Sequence, residues 1–338
     1  MSDPVEYGPV ERVHQLADTG LDVHLSKQRA RLGPLSLTRK WAGGTPPAQK
    51  LVLVHGFAQN RYTWHGTGRS PSAWFAHEGF DVWNLELRGH GLSRGSGSCD
   101  RFADYLDDAA RVSDALGPAF WIGHSLGGAV GYATATRSPL AGMIGIGALY
   151  SFAQANRTLK ALCQLSTLLG NAGRLGQTSA GLVGALNVRM RLAGRLIGRL
   201  YSISDIAGYA FPISGWAPGS VEPEQLAERL ERGFDWTSLN VWLEMARWGA
   251  GGTFDYDQEW GALDVPLLVV AGDLDHLMLP DDARVAYDRS GSTDKTWMLL
   301  DDYSTGHHWG HLDMISGKYA RRWVWEPIAS WIRARARA

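Results

Sequence analysis

The stretch Ala119-Phe-Trp-Ile-Gly-His-Ser125-Leu-Gly-Gly-Ala-Val-Gly-Tyr-Ala-Thr-Ala135 decides the fold. Its first four residues are apolar, as in a buried parallel strand, and the small residues from Gly127 onward favour a closely packed helix. The serine between them has glycine two positions away on either side, which a sharp strand-to-helix turn requires. The pattern therefore predicts a nucleophile elbow with Ser125 as nucleophile. The alternative is a serine that only caps a helix.

Short apolar runs on both sides of this turn have the length of buried strands, and helix-length stretches separate them. The predicted strands are Leu51–Val54, Phe80–Leu87, Ala119–Ile122, Met143–Ala148, Pro266–Ala271 and Thr296–Leu300, and the helices include Ser70–His77, Asp100–Leu116 and Gly127–Thr136. Two earlier extended segments, Val23–Arg29 and Leu35–Trp41, would open the sheet as an antiparallel edge. The alternation predicts an α/β fold with a mostly parallel central sheet flanked by helices.

The alternation stops between about residues 151 and 261, where helical patterns follow one another without a convincing strand. We interpret residues 151–261 as an inserted helical cap or lid, and residues 1–150 and 262–338 as the core. The insertion contains a basic stripe beside an apolar one, formed by Arg191, Arg195 and Arg199 and by Leu192, Leu196 and Leu200. This arrangement fits a lid helix packed over the core or a transient contact with a lipid interface.

Composition argues against several other classes of protein. The chain has a net charge of −1, so no global basic field indicates nucleic acid as a partner. Its two cysteines form neither a disulfide framework nor a zinc-site spacing, and no motif implies a metal or an organic cofactor. The apolar runs are too short to span a bilayer and no secretory signal is visible, which predicts a cytoplasmic location unless a leader has been removed. The oligomeric state is left open.

The G-x-S-x-G pattern alone does not identify the nucleophile, because Gly91-Leu-Ser93-Arg-Gly95 fits it as well as the stretch around Ser125. Ser93 lies in a Gly/Ser-rich segment with no helix after it. Only Ser125 has the strand and the helix that a nucleophile elbow needs. Context therefore favours Ser125.

A serine hydroxyl is a weak nucleophile near neutral pH, so it needs a base within hydrogen-bond reach and a third group that fixes the tautomer of that base. Three histidines, His307, His308 and His311, follow the last predicted strand. We predict His311 as the base, because it stands just before the final helical run, with His308 as the alternative. The acid should follow the penultimate strand, where we prefer Asp275 to Asp273, whose position after a glycine is typical of a local turn bond.

The oxygen of a tetrahedral intermediate needs amide donors aimed at it. One predicted donor is the backbone N–H of Leu126, at the start of the helix behind the nucleophile. The other is that of Phe57, in the turn His55-Gly-Phe-Ala58, where Gly56 lets the backbone bend sharply. His55 is interpreted as a structural brace for this turn, with a second base as the alternative.

These motifs together resemble the α/β-hydrolase family from about Leu51 to the C-terminus. The resemblance is carried by Leu-Val-His55-Gly-Phe57, Leu87-Arg-Gly-His-Gly-Leu-Ser93, Gly123-His-Ser125-Leu-Gly-Gly128, Gly272-Asp-Leu-Asp275 and Gly310-His311-Leu-Asp313. It implies the order serine, aspartate, histidine along the chain. It also implies that Ser93 belongs to a loop that recurs in the family and is not the nucleophile.

The stretch His311-Leu-Asp313 with Gly317 soon after it is similar to the lipase-like branch of the family and to its polyhydroxyalkanoate-synthase relatives. Those synthases use cysteine as nucleophile, whereas epoxide hydrolases and dehalogenases carry aspartate there. Ser125 therefore favours ester hydrolysis through an acyl-enzyme.

The predicted substrate is a small apolar carboxylic ester, because the insertion is apolar and bulky residues lie on loops expected to face the site. The candidate substrate-binding residues are Trp64, Met278 and Trp309, although tryptophan is also common in plain cores. Acyl transfer to an acceptor other than water, and hydrolysis of a thioester or polyester, are alternatives on the same residues. A non-catalytic ligand receptor is the alternative from another class.

Overall fold

The computed structural model describes residues 4–97, 99–175, 215–235 and 237–336. The predicted basic stripe at Arg191, Arg195 and Arg199 and the leucines beside it lie outside the described residues. Among the described residues, no helix is both long and apolar enough to cross a bilayer.

A nine-stranded sheet forms the centre of the described structure. Its strands are β1 Val5–Asp18, β2 Leu21–Leu32, β3 Leu35–Trp41, β4 Lys50–Val54, β5 Asp81–Glu86, β6 Phe120–His124, β7 Gly142–Ile146, β8 Leu267–Gly272 and β9 Lys295–Leu300. The spatial order is β1-β2-β3-β5-β4-β6-β7-β8-β9, with β1 to β3 antiparallel and β4 to β9 parallel. The mostly parallel sheet that the sequence predicts is confirmed. The antiparallel edge is longer than predicted, because β1 precedes the two strands expected there.

Helices cover both faces of the sheet, as parallel strands buried on both sides require. The helices of the core are α1 Pro71–His77, α2 Phe102–Leu116, α3 Leu126–Ala135, α8 Pro280–Arg289, α9 Asp302–Thr305, α10 Asp313–Ser316 and α11 Glu326–Arg335. One apolar cluster packs α2, α3 and α8 against the sheet, and a second packs α1 and α11 against it. The carboxyl ends of the parallel strands are therefore held by packing on both faces of the sheet, and they fix where the following loops begin.

The stretch predicted as a cap contributes helices in its described parts. These are α4 Arg157–Leu175, α5 Pro223–Arg232, α6 Leu239–Gly249 and α7 Asp257–Gly261. Helix α4 packs against α6. Just after α5, Phe234 forms an isolated antiparallel bridge with Gln59, and the amide of Asp235 donates to the carbonyl of Ala58 at 2.7 Å. The carboxylate of Asp235 accepts from the amide of Gly91 at 2.6 Å and pairs with Arg94, which ties this segment to the core.

Candidate active site

Ser125 lies on the turn between β6 and α3 and has the backbone angles φ 55° and ψ −124°. This left-handed conformation is strained for a residue with a side chain, and it is held by neighbouring backbone. The Ser125 amide donates to the carbonyl of Ile146 at 3.1 Å, and the Ser125 carbonyl accepts from Leu149 at 3.0 Å. A side chain at Gly123 would clash with the backbone of Gly127, and one at Gly127 would clash with Val54. The packing thus leaves room only for glycine on either side of the serine.

His311 and Asp275 form a buried pair beyond the ends of β9 and β8. The Nδ1 atom of His311 is 2.7 Å from Oδ2 of Asp275. The other carboxylate oxygen of Asp275 accepts from the amides of Leu277 at 3.0 Å and Met278 at 2.8 Å, which fixes the orientation of the carboxylate. Because the carboxylate accepts a hydrogen bond from Nδ1–H, Nε2 of His311 is left with a free lone pair, the state that a general base needs.

A close approach of backbone to this pair requires a glycine at position 147. Gly147 follows β7 with φ 49°, and a Cβ built there would lie 2.8 Å from Oδ2 of Asp275 and 3.0 Å from Nδ1 of His311. Any larger residue would displace one partner of the buried pair. Gly147 is a residue that the sequence reasoning missed, because no motif marks it.

His308 and Asp273, the alternative base and the alternative acid, pair with each other and not with Asp275 or His311. Nδ1 of His308 is 2.5 Å from Oδ2 of Asp273, whose other oxygen accepts from the Trp309 amide at 2.8 Å. This carboxylate raises the pKa of His308. Asp302 lies beside this pair, and the potential metal-ligand atoms of the three residues are within 4.8 Å of one another. The group is partly exposed, and it contains neither Asp275 nor His311. His307 stacks on Tyr319 with ring centroids 3.7 Å apart.

The turn expected to supply an oxyanion donor lies against the nucleophile. A Cβ at Gly56 would lie 3.0 Å from Cβ of Ser125. His55 braces the turn: its Nε2 accepts from the Leu87 amide at 3.1 Å, so the proton is on Nδ1, which donates to the Gly56 carbonyl at 2.9 Å. Burial lowers the pKa of His55 to about 3, so the ring is neutral and both of its nitrogens are occupied. This geometry fits a brace and leaves no nitrogen for a second base.

Ser125 and His311 line one cavity of about 240 Å³. Apart from these two residues and Gln59, the lining is almost entirely apolar: Phe57, Ala58, Leu149, Phe152, Leu159, Gly215, Trp216, Leu230, Phe234, Trp242, Met245, Leu277, Met278 and Leu312. Met278, a candidate substrate-binding residue, is in this lining. We call this space the site cavity.

The structure places the two candidate tryptophans elsewhere. Trp64 and Trp309 do not line the site cavity, and both rings are buried in the apolar cluster on the α1 and α11 face of the sheet. The indole N–H of Trp309 donates to Oγ1 of Thr305 at 2.7 Å. Their assignment to substrate binding is corrected, because burying an aromatic ring in the core is worth more than leaving it on a loop surface.

Two polar residues beside the site were missed by the sequence reasoning. The side-chain oxygen of Gln59 accepts from Oγ1 of Thr63 at 2.7 Å and from Nη2 of Arg229 at 3.2 Å. Since both partners are donors there, the amide orientation is fixed. Arg229 comes from α5 and is buried, and desolvation lowers its pKa to about 10. No local pattern pairs two residues 170 positions apart, so the sequence carries no signal for this contact.

His124, the residue before the nucleophile, holds the loop of the base. Its Nε2 is 3.1 Å from the His311 carbonyl, and the two rings have centroids 4.4 Å apart. Because a carbonyl only accepts, the proton of His124 is on Nε2. Burial, followed by the neighbouring His311, lowers the pKa of His124, which keeps its ring neutral.

Asp313 joins the loop of His311 to the chain that enters α5. Its Oδ2 accepts from the amides of Gly310 at 2.7 Å and Ala217 at 2.8 Å, and its Oδ1 is 2.7 Å from Oγ of Ser220. Burial is the largest influence and raises the pKa of Asp313 to about 7, although these donors oppose the shift. Asp313 is therefore a buried acid that holds its proton up to near-neutral pH.

We expect Asp313→Asn to remove a pH dependence of stability. The pKa is about 7 in the folded chain and 3.8 for the free carboxyl, so between these values only the unfolded chain loses the proton. The free energy of unfolding of the natural protein should therefore fall as pH rises from about 4 to about 7. Asparagine can make the same three hydrogen bonds without titrating. The melting temperature of the natural protein, relative to that of the variant, should drop by a few degrees across this range.

The measurement is thermal unfolding of both proteins at several pH values, with Asp281→Asn as the control. Asp281 is exposed, so the melting temperature of Asp281→Asn should differ from that of the natural protein by an amount that stays almost constant with pH. If the melting temperature of the natural protein, relative to that of Asp313→Asn, stays constant or rises as pH rises, Asp313 is ionised in the folded chain.

Comparisons with known proteins agree with this architecture. Residues 45–187 match the sequence profile of the serine aminopeptidase S33 family. No curated protein matches the chain. Similar solved structures include a monoacylglycerol lipase from Paleococcus ferrophilus (18% identity, 89% of this chain and 99% of that chain covered, TM-score 0.60) and a membrane phospholipase A described as a bacterial virulence factor (16%, 93% and 87%, 0.57). A thermophilic esterase from Thermogutta terrifontis is also similar (18%, 96% and 99%, 0.54).

At these identities, the solved structures show a shared fold. The strand order, the strand-to-helix turn at Ser125 and the match over residues 45–187 agree with one another. The chain has the α/β-hydrolase fold.

Proposed function

We propose that this protein is a carboxylic ester hydrolase that uses Ser125, His311 and Asp275 as a catalytic triad. The observation that carries the proposal is that Ser125 and a carboxylate-paired histidine line the same apolar cavity. The names of the similar structures, a lipase, a phospholipase and an esterase, support an ester as substrate.

In the proposed mechanism, Oγ of Ser125 attacks the ester carbonyl while Nε2 of His311 takes the hydroxyl proton. The charge that develops on the carbonyl oxygen is stabilised by the amides of Phe57 and Leu126, and the latter also begins α3. The C–O bond then breaks, and His311 gives the proton to the leaving alcohol. A water molecule, deprotonated by His311, next attacks the acyl-enzyme, and the carboxylic acid leaves as Ser125 regains its proton.

The site cavity favours an apolar ester group. Its lining offers aliphatic and aromatic surface and, besides the triad members, one side-chain amide, that of Gln59. Burying each methylene of a substrate in such a lining contributes about 0.8 kcal/mol, which is about fourfold in affinity or rate. A short polar ester would use little of this surface.

We also propose that residues 151–261 act as a lid over the core. Leu159, Trp216, Leu230, Phe234, Trp242 and Met245 from this stretch line the site cavity together with core residues. The lid would exclude water from the ester and supply most of the apolar wall. Transient contact of this lid with a lipid interface is part of the same proposal.

A chain-length series of p-nitrophenyl esters tests the proposed substrate class. We expect kcat/KM to rise about fourfold per methylene from acetate until the cavity is filled, and then to level or fall. A maximum at acetate, or a preference for charged acyl groups, would contradict the apolar assignment. Complete absence of turnover with every ester would favour a ligand receptor.

Product analysis with an added alcohol separates hydrolysis from acyl transfer. Free carboxylic acid should remain the main product at moderate alcohol concentrations, because no acceptor other than water is part of the proposal. A transesterified product in excess over acid would replace the hydrolase assignment with an acyltransferase. A parallel assay with thioesters and an insoluble polyester compares the remaining alternatives.

A further inference from the structure

The site cavity contains one polar side chain that the proposed mechanism does not use, that of Gln59. Apart from Ser125 and His311, the other described lining residues carry aliphatic or aromatic side chains or none. Gln59 is 6% exposed, and it is part of this lining. The surface that remains accessible on its side chain therefore belongs to the cavity that the substrate would occupy.

The side-chain amide of Gln59 has a fixed orientation, with its nitrogen left over. Oε1 accepts from Oγ1 of Thr63 at 2.7 Å and from Nη2 of Arg229 at 3.2 Å. A reversed amide would set its NH₂ group against a guanidinium, which cannot accept a hydrogen bond. Nε2 keeps accessible surface, and none of the described residues accepts a hydrogen bond from it. The site cavity thus contains a donor that is free to bind a ligand.

The turn that carries Gln59 lies against the nucleophile and is strained. Ala58 has φ 55°, a left-handed angle that is unfavourable for a residue with a side chain. The Ala58 carbonyl accepts from the amide of Asp235 at 2.7 Å, which holds the turn from the segment after α5. A Cβ at Gly56 would lie 3.0 Å from Cβ of Ser125 and 3.3 Å from Oε1 of Gln59. The amide is therefore only a small functional group away from the nucleophile.

Arg229 holds this amide in a way that a purely structural arginine would not need. It lies on α5, it is buried, and its Nη1 donates to the Thr63 carbonyl at 3.0 Å. Among the described residues, no carboxylate oxygen comes within 4.0 Å of its guanidinium nitrogens. A buried charge is best compensated by an opposite charge. Glutamate at position 59 would accept the same two hydrogen bonds and add an ion pair, whereas glutamine alone supplies N–H groups to the cavity.

A lone donor in an apolar cavity selects for a ligand that carries an acceptor. An alkyl ester that displaces water from Nε2 of Gln59 leaves this donor without a partner, which is unfavourable. A charged group would be unfavourable too, because the wall offers no counter-ion for it. An ether, hydroxyl or carbonyl oxygen would restore the hydrogen bond without this penalty.

We propose that Gln59 is a specificity-determining residue that binds a second, uncharged acceptor oxygen of the substrate, near the scissile ester, and that Arg229 positions its amide. The first acceptor is the ester carbonyl oxygen, which the proposed mechanism gives to the amides of Phe57 and Leu126. The assignment rests on the proposed function for the choice of an ester as ligand.

Equilibrium binding to Ser125→Ala tests this assignment without the chemical step. The ligands are butyl hexanoate and the isosteres in which an ether oxygen replaces the third or fourth carbon of the acyl chain or the third carbon of the butyl chain. Trp216 and Trp242 line the site cavity, so tryptophan fluorescence reports binding. At least one isostere should be favoured over butyl hexanoate by a factor that falls about 10-fold in Ser125→Ala/Gln59→Leu, since the hydrogen bond to Nε2 is then lost.

Three further variants and a matched control separate binding from folding. Gln59→Glu keeps an acceptor for Arg229 and Thr63 but has no N–H group, so it should lose the preference and stay folded. Arg229→Lys keeps a donor for Oε1 of Gln59 and should retain most of the preference, whereas Arg229→Met frees the amide and should lose it. The control, Met245→Leu, changes the apolar wall and should alter the affinity for both ligands by the same factor.

Melting temperatures identify any variant that fails to fold. A preference that changes by less than about twofold in both Gln59→Leu and Gln59→Glu, for every isostere, would overturn the proposal. An equal loss of turnover for all the esters in Gln59→Leu, with the affinity ratio unchanged, would make Gln59 an oxyanion donor and would overturn it as well. If the natural protein turned over no ester but the preference still depended on Gln59, the proposed hydrolase would fail and this assignment would stand.

Discussion

Replacing Ser125 by alanine is expected to lower kcat/KM for a p-nitrophenyl ester by about 10⁴- to 10⁶-fold, the range seen when the nucleophile of a serine triad is removed. The acyl-enzyme cannot form without Oγ, and the oxyanion donors alone give only weak catalysis. Labelling by a fluorophosphonate probe should disappear as well. Alanine keeps the backbone turn, because the strain at position 125 is set by φ and not by the hydroxyl.

Ser93→Ala is the matched control, because Ser93 lies in the second G-x-S-x-G sequence. The Ser93 hydroxyl is buried, donates to the carbonyl of Glu86 at 2.7 Å and accepts from the amide of Ser36 at 2.8 Å. Its loss should cost stability, about 1–3 kcal/mol, while labelling and turnover persist. Labelling that survives Ser125→Ala but not Ser93→Ala would reverse the assignment of the nucleophile.

Asp275→Asn is expected to lower kcat by about 10⁴-fold without unfolding the protein. One oxygen of Asp275 accepts two backbone amides, from Leu277 and Met278, so the asparagine must keep its carbonyl oxygen on that side. Its NH₂ group then faces Nδ1 of His311, which has to become the acceptor. The ring proton moves to Nε2, and the base can no longer take a proton from Ser125.

The control for this change is Asp273→Asn, which makes the same replacement of a carboxylate by an amide in the partly exposed pair with His308. Steady-state kinetics should show an effect of less than about threefold for this variant, and the melting temperature of Asp275→Asn should stay close to that of the natural protein. If Asp273→Asn is the variant that loses activity, the proposed acid and base are the wrong pair.

Much of the central sheet could be predicted because its parallel strands are buried on both faces and appear as continuous apolar runs. Strand β1 has no such pattern. Most of its side chains are exposed or half-buried, as in an edge strand with only one neighbour, so no continuous apolar run marks this strand in the sequence. The predicted limits of the parallel strands β4 to β9, by contrast, differ from the structure by at most two residues.

The sequence predicts a site residue when that residue directly follows a strand that the apolar pattern locates. Ser125 and Asp275 follow strands that the apolar pattern locates, so their relation to the sheet is a matter of chain order. The contact of Arg229 with Gln59 depends on how α5 packs over the core, and the burial of Trp64 and Trp309 depends on which way their loops turn. This contact and the burial of these two rings are decided by tertiary packing, which no local pattern in a single sequence reveals.

The bridge between Phe234 and Gln59 has a consequence for protein engineering. Exchanging caps between relatives is a natural route to new specificities, and it treats the insertion as a removable module. Here the segment after α5 donates to the carbonyl of Ala58, next to the proposed oxyanion donor Phe57. A chimaera that replaces residues 215–235 would therefore alter the support of the reaction centre together with the substrate wall, whereas a substitution at Met245 changes the wall and leaves this bridge in place.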